Sequence, residues 1–221
     1  MKRERLFARI PSPRVGRYGI ADQDIARIQV VPELVEELTD CLRSDDETDV
    51  IFGLYFAECL RPRADFSTVA GPSLPTIAPL IRTSLTHSSP RVRAGAVRAF
   101  AAFRESYVDY AVVMRDFLRS PDSEVRRAAL RVAPSFLTSK ELDILLPLRD
   151  DPEFGETGGM GGPLRYDLRD FALEIAEHIA GRQFDSGDCL ERRDSTQISW
   201  RSWSAFTQWL EGQKKWKLFG R

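Results

Sequence analysis

The chain has 221 residues, of which 43% are hydrophobic and 29% charged, and its formal net charge is −1. This composition is typical of a soluble globular protein of one or two domains. No run of 18 apolar residues occurs, which excludes a helical membrane span. The basic start, residues 1–13, lacks the apolar core of a secretory signal, so we expect a cytoplasmic protein.

Charge and cysteines are distributed unevenly along the chain. Residues 32–60 carry −8, whereas residues 82–131 carry +5. Such blocks either belong to solvated helix faces or guide a partner of complementary charge. Cys41, Cys59 and Cys189 are far apart, which favours reduced thiols over a disulfide framework or a zinc site.

The N-terminal stretch differs from the rest in composition. Residues 1–21 combine two prolines and two glycines with six basic residues, and we predict an irregular basic arm there. A first helix is predicted near residues 22–30, with Asp22 as its N-cap.

The remainder predicts four helical pairs, because apolar residues recur at the three- and four-residue spacing of buried helix faces. The pairs cover residues 32–42 with 49–60, 74–85 with 90–106, 108–119 with 124–139, and 140–148 with 165–181. Residues 62–75, with three prolines, predict a longer connector between the first two pairs.

The second helices of these pairs align with one another. One column contains Val50, Val92, Val125 and Leu168, and three residues later stand Gly53, Gly95, Ala128 and Phe171. The column repeats after 42, 33 and 43 residues, which is typical of helix-pair units that bury their faces against neighbours. Small residues in mid-column predict close helix packing.

Two stretches carry a recognisable motif. Residues 118–133, with a Pro-Asp turn followed by Val-Arg and paired alanines, resemble a HEAT repeat, and residues 89–100 resemble it nearly as well. The resemblance covers residues 30–181 and implies an all-α solenoid of about four HEAT-like hairpins. Ile51 and Phe171 depart from the motif in the first and fourth units. The implied organisation is a basic arm (1–21), a solenoid (22–185) and a Trp-rich capping segment (186–221).

Arginines on the second helices fall into two groups. In proteins with this type of repeat, arginines in the column of Arg93, Arg126 and Arg169 pair with turn carboxylates, so the resemblance implies a structural ladder. Arg98, Arg127 and Arg131 are instead candidates for binding, because second helices line the concave side of such proteins and arginine clusters hold carboxylates or phosphates. The alternative is solvated surface charge.

The turn of the fourth pair is thirteen residues longer than that of the third and is rich in glycine. Insertions in solenoids map to one face, often the binding face, so we predict that this loop clamps a partner. Its candidate contact residues are Phe154, Met160, Arg165 and Tyr166. The alternative is a flexible loop without a dedicated role. The glycines do not match a nucleotide-binding loop.

No motif predicts catalysis, a cofactor or a metal. Glu174 and His178 stand four residues apart, but no further ligands are evident, and a cation near a helix C-terminus explains His178. Near the C-terminus, an aromatic helix face either caps the last repeat or forms a partner-binding hot spot. Its members are Trp203, Phe206, Trp209 and Leu210.

These features together predict a non-catalytic scaffold that binds another protein along its concave surface. A narrower form is an immunity protein that neutralises a toxin. The near-neutral charge argues against nucleic acid as the main ligand. The alternative is a HEAT-like alkylpurine DNA glycosylase, which should combine a basic concave face with aromatic residues and carboxylates.

Overall fold

The computed structural model describes residues 2–9, 25, 27–151, 154–159, 162–184, 191–193, 197–199 and 202–219. Apart from two β-hairpins, these residues form helices and turns, which confirms the predicted all-α class. The chain divides into two compact units, Met1–Val113 (unit 1) and Met114–Arg221 (unit 2).

The elements follow the predicted helical pairs closely. Unit 1 contains α1 (Arg3–Ala8), α2 (Pro32–Leu42), α3 (Glu47–Leu60), α4 (Ala64–Ala70), α5 (Leu74–Ser84) and α6 (Pro90–Ala102), and the division between the units falls within α7 (Tyr110–Phe117). Unit 2 continues with α8 (Ser123–Val132), a 3-10 helix (Leu142–Asp150), β1 (Phe154–Gly159), β2 (Gly162–Asp167), α9 (Leu168–Ala180), β3 (Glu191–Arg193), β4 (Gln197–Ser199) and α10 (Trp203–Phe219). Short 3-10 turns lie at Gly71–Ser73, Arg104–Ser106 and Ala133–Ser135.

The first helical pair shows how sequence sets the helix ends. Pro32 occupies the first turn of α2, where its missing N–H is not needed, and the predicted apolar face is buried. α3 begins two residues earlier than predicted. The reason is Asp46, whose side chain accepts hydrogen bonds from the Thr48 N–H (2.8 Å) and the Asp49 N–H (3.3 Å) and so caps the helix.

Glycines lie where helices of unit 1 approach most closely. A Cβ on Gly53 would stand 3.0 Å from the Cys41 Cβ and 3.3 Å from the Leu42 backbone N on α2. A Cβ on Gly95 of α6 would stand 3.4 Å from Leu54 Cδ1 on α3. The prediction that these small residues mark helix packing contacts is therefore confirmed for unit 1.

Two stretches predicted as irregular contain helices. α1 lies within the predicted arm, where it buries Leu6 completely. α4 lies within the predicted connector, where Phe66 and Ala70, four residues apart, are fully buried. In both cases one or two apolar anchors suffice for a short helix, and Pro62 and Pro72 do not prevent α4 because they lie outside it. The rest of the predicted arm lies outside the described residues.

Part of the predicted first helix is wrong, since Arg27–Val30 is not helical. Its carbonyl groups bond elsewhere, because Arg63 Nη1 donates to the Ile28 O (2.8 Å) and more weakly to the Ile25 O (3.4 Å). The first helix of the fourth pair is a 3-10 helix, with Pro147 inside it. Proline lacks the N–H that an α-helical hydrogen bond would need there.

The long insertion of the fourth unit is a β-hairpin and not a loop. β1 and β2 pair antiparallel, from Phe154 opposite Asp167 to Gly159 opposite Gly162. β3 and β4 form a second, shorter hairpin. The glycines had suggested a flexible turn. Thr157 on β1 and Leu164 and Tyr166 on β2 are nevertheless compatible with extended backbone.

α1 is anchored to the first helical pair by a buried carboxylate. Asp49 on α3 is 4% exposed, and its carboxylate accepts the Arg3 N–H (3.3 Å), the Lys2 N–H (3.4 Å) and the Ser44 hydroxyl (3.1 Å). Burial raises the pKa of Asp49, but these hydrogen bonds outweigh burial and the pKa is lowered from its ordinary value. The ionised form is therefore the one that the fold stabilises.

The two glycines should respond oppositely to alanine. Gly53→Ala is expected to destabilise the protein by about 1–3 kcal/mol, because the added methyl meets backbone that must shift. Gly95→Ala is expected to be neutral or stabilising by up to about 1 kcal/mol, since the site has room and alanine favours a helix. Urea unfolding followed by circular dichroism measures both. Equal losses in the two variants would refute the packing contact assigned to Gly53.

Asp49 should make stability depend on acid. The pKa of Asp49 is lower in the folded than in the unfolded chain, where it is near 4. Asp49 therefore contributes to the free energy of unfolding above that pH, and the contribution is lost as pH falls through its pKa in the folded chain. Asp49→Asn is therefore expected to lower the free energy of unfolding by about 1–3 kcal/mol at pH 7, with a smaller gap to the wild type at pH 3. Urea titrations at both pH values measure the gap. A gap that does not narrow in acid would contradict the assignment.

Candidate functional site

α3 and α6, the second helices of the first two pairs, pack side by side in unit 1. α3 is apolar on nearly all sides, and its buried residues, among them Leu54 and Ala57, occupy only part of its circumference. Its remaining apolar residues are half-buried on one contiguous face: Ile51, Phe52, Tyr55 and Cys59. The Phe52 ring lies 4.9 Å from the Phe56 ring. We call this surface, with Arg98 of α6, the α3–α6 face.

Arg98, a predicted binding residue, borders this face in an ion pair. Its Nε lies 3.1 Å from Glu58 Oε2 on α3, and the two side chains are 28% and 32% exposed. An ion pair at this exposure contributes about 0–1 kcal/mol to stability. The pair mainly holds a guanidinium beside the apolar residues, where a partner carboxylate can reach its remaining N–H donors.

The two other predicted arginines lie on α8 in unit 2. Arg131 is exposed and Arg127 is half-buried. They stand four residues apart, which places them on one side of the helix. Both are compatible with contact to a partner, and neither position tests that role.

The predicted clamp residues belong to the hairpin. Phe154 stands opposite Asp167, Tyr166 opposite Gly155, and Arg165 opposite Glu156. Met160 lies outside the described residues. The hairpin thus brings Phe154, Arg165 and Tyr166 into one small sheet between the 3-10 helix and α9.

Arg126 and Arg93 both bond to the turns before their helices, and Arg126 also pairs with a turn carboxylate, as the resemblance implied for this column. Arg126 Nη1 donates to the carbonyls of Ser120 and Pro121, both at 2.8 Å, and Arg93 Nη1 donates to those of His87 (2.5 Å) and Ser88 (2.7 Å). Each arginine therefore holds the turn before its own helix. In addition, Arg126 reaches the next unit.

The Arg126 contact to the following turn is an ion pair with Asp151. Arg126 Nη2 donates to Asp151 Oδ1 at 3.1 Å, and Nε lies 2.7 Å from Oδ2. The side chains are only 11% and 7% exposed. This buried pair links two successive helical pairs within unit 2, as the predicted ladder requires.

The remaining reactive side chains have structural roles. His87 Nδ1 accepts the Ser89 N–H (3.0 Å) within a turn. Cys41 is fully buried, and burial, reinforced by the charge of Asp49, raises its pKa to about 11. Among the described residues, no group of three or more His, Cys, Asp or Glu side chains is placed to hold a metal ion. Cys189 lies outside the described residues.

The aromatic face of α10 is packed inside unit 2. Ser202 Oγ accepts the Ala205 N–H (3.2 Å) at the start of the helix, and Trp203, Phe206 and Leu210 are buried. The Phe206 ring lies 5.1 Å and the Trp209 ring 5.3 Å from Phe184. This packing is what a cap requires, whereas a hot spot would need these rings at the surface.

Sequence reasoning missed the apolar residues of α3 as functional candidates. The signal was present, because Glu47–Leu60 lacks the polar stripe that an amphipathic surface helix shows. A helix that is apolar on all sides is either wholly buried or presents an apolar face to a partner. Ile51, Phe52 and Tyr55 are half-buried, so this side of α3 is not wholly buried.

The paired helices, their short turns and the arginine contacts define the class of α-solenoid repeat proteins. Residues 74–156 match the family model of HEAT repeats, and over this stretch the chain consists of HEAT repeats. The match supports the predicted resemblance over residues 74–156; the first helical pair and α9 lie outside the matched residues. No curated protein and no solved structure matches the chain. None of the helices that the structure describes is long and apolar enough to span a membrane.

Loss of Arg126 should be costly. Arg126→Met leaves Asp151 as a buried carboxylate without its cation and removes the donors to the preceding turn, so a loss of about 3–5 kcal/mol in the free energy of unfolding is expected. Arg119→Met is the matched control, because Arg119 is exposed and its loss should change stability by less than about 0.5 kcal/mol. Urea unfolding measures both, and similar losses would refute the structural role of Arg126.

Proposed function

We propose that the chain is a non-catalytic scaffold that binds another protein through the second helices of its HEAT repeats. HEAT repeats form a helical scaffold that generally serves protein interaction, and the match over residues 74–156 supports this proposal. The α3–α6 face in unit 1 carries the proposal. Arg127, Arg131 and the hairpin are further contact candidates in unit 2.

The composition of the α3–α6 face supports this proposal. Protein interfaces are enriched in aromatic residues and arginine, and a few such anchors provide most of the binding energy. Phe52, Tyr55 and Arg98 supply those residue types on neighbouring helices. Together, Phe52 and Tyr55 of α3 and Arg98 of α6 form an apolar area with a cation at its edge.

The partner that fits this face has a defined chemistry. Apolar side chains would cover Ile51, Phe52 and Tyr55, and a carboxylate would pair with the guanidinium of Arg98. The same acidic character would suit Arg127 and Arg131. A toxin domain neutralised by this chain is a narrower form of the proposal, and a toxin-like neighbouring gene would support it.

The proposal is tested by locating the partner and then altering the face. A photo-crosslinking phenylalanine at position 52 is expected to capture a discrete protein from native lysate, whereas the same probe at position 108 is not. Val108 is a fully exposed apolar residue outside the α3–α6 face. Capture at both positions with equal yield would argue against a specific face.

Affinity for the purified partner then gives the decisive measurement. Tyr55→Ala and Arg98→Ala are each expected to raise the dissociation constant about tenfold or more, as hot-spot truncations do. Val108→Ala is expected to leave it unchanged. Isothermal titration calorimetry measures the change, and circular dichroism verifies the fold. Unchanged affinity in both face variants would overturn the proposal. Cleavage of alkylated DNA by the wild type, lost on substitution within the same face, would instead establish the glycosylase alternative.

A further inference from the structure

α1 is a short basic helix that depends on the surface beneath it. It has six residues, and an isolated helix of that length is not stable in water. Its one fully buried described side chain is Leu6. The Arg3 and Lys2 N–H groups bond to Asp49, as described above. The helix therefore exists because α2 and α3 provide a place that recognises it.

Two arginines complete the attachment of this helix. Arg5 Nη2 donates to Asp40 Oδ2 at 2.9 Å, and both side chains are about half exposed. Arg9 grips Glu37 with two hydrogen bonds, from Nε at 2.6 Å and from Nη2 at 2.9 Å. The Arg5 pair is half exposed and therefore weak, whereas the side chains of the Arg9–Glu37 pair are only 28% and 15% exposed and are less screened by solvent.

We call the surface that holds α1 the α1 seat, which consists of Glu37, Asp40 and Asp49 around the position of Leu6. Its requirements define a ligand: a helix start whose N–H groups meet Asp49, one apolar residue, and arginines that follow on the same side. The carboxylates of α2 and α3 can pair with a basic amphipathic helix, whereas an acidic or neutral helix would not provide cations for them.

The seat continues into an open groove that α1 does not fill. This groove has a volume of about 570 Å³, and Arg5 and Asp40 lie on its wall at the end nearest α1. Glu33 and Glu36 of α2, Arg43 at the C-terminal end of α2 and Thr76 of α5 also line it, so carboxylates outnumber cations on its wall. Both glutamates are exposed. A basic helix longer than α1 would meet these additional carboxylates.

We propose that the α1 seat and this groove form a docking site for a basic amphipathic helix of a partner protein, and that α1 occupies the seat until the partner helix displaces it. The additional contacts in the groove are the partner's advantage over α1. The partner helix must compete with α1, which is covalently linked to the seat and therefore present at an effective concentration near millimolar. This site is on a different side of α3 from the α3–α6 face, so it stands or falls independently of the proposed function.

The first test uses the full chain with α1 undocked. Leu6→Asp removes the buried anchor, and a fluorescent peptide with the sequence of residues 1–9 is the probe. Fluorescence anisotropy is expected to show binding to this variant at least tenfold tighter than to the wild type, in which α1 competes. Asp49→Asn added to Leu6→Asp should weaken binding tenfold or more. Glu124→Gln added instead, which removes the same charge from an exposed site in unit 2, should not change it.

A second probe tests the groove. Extending the peptide by one helical turn that carries two arginines should tighten binding to Leu6→Asp, and Glu33→Gln with Glu36→Gln should abolish that gain without affecting the nine-residue peptide. An extended peptide with glutamates in place of these arginines is the control. A gain that survives the loss of both glutamates would overturn the role of the groove.

The outcome that overturns the proposal is clear. If Leu6→Asp keeps the helical circular dichroism and cooperative unfolding of the wild type but does not bind the peptide, the seat is not a docking site. If Leu6→Asp does not fold, Arg5→Glu with Arg9→Glu, which removes both ion pairs and leaves Leu6 in place, is tested in the same way. If undocked chains associate with each other instead of binding the peptide, the occupant is a second copy and the assignment to a partner protein is wrong.

Discussion

Close approach between neighbouring helices is the constraint on which unit 1 depends. Gly53 lets α3 come so near to α2 that a methyl group would stand 3.0 Å from Cys41, and Gly95 lets α6 rest on Leu54. Dispersion and apolar burial fall off steeply with separation, so the distance between helix axes decides how much each pair gains. The aromatic residues below, such as Phe56, Phe66 and Phe100, fill the space that this spacing leaves.

Polar side chains then fix where the turns and ends of the helices lie. Arg93 and Arg126 bond to carbonyl groups of the preceding turns, and Tyr107 donates its hydroxyl to the Ala78 carbonyl at 2.8 Å while stacking on Phe100. Burial raises the pKa of Tyr107 above its ordinary value, so it stays a neutral donor. Turns in this protein are therefore held by long side chains in addition to their own backbone hydrogen bonds, such as the one from the Ser120 N–H to the Phe117 carbonyl.

The helices of the repeats could be predicted from sequence because their signals are local. Apolar spacing placed α2, and proline and aspartate marked the turn before α8. α1 and α4 could not be predicted in that way, since six or seven residues carry too little periodicity and their anchors, such as Asp49, come from distant parts of the chain. The hairpin was missed because glycine suggests turns and extended pairs alike.

The candidate site was predicted in part. Arg98 is where helical spacing put it, but its pairing with Glu58, forty residues earlier, depends on how α3 and α6 meet. The apolar face of α3 was visible in the sequence as a missing polar stripe, yet which of its residues stay uncovered depends on tertiary packing. Side chains on a helix surface can thus be assigned to a side from sequence, whereas their neighbours cannot.

The hairpin of β1 and β2 is confined to one connection of unit 2, between the 3-10 helix and α9. In an array of helical pairs, each element draws its energy from adjacent elements, and total stability is close to a sum of nearest-neighbour terms. Thirteen residues inserted between the 3-10 helix and α9 alter one of these terms and leave the packing of Gly53 or Gly95 untouched. Turns of this kind are consequently the positions at which a repeat protein can carry an additional surface while the packing of its core helices stays the same.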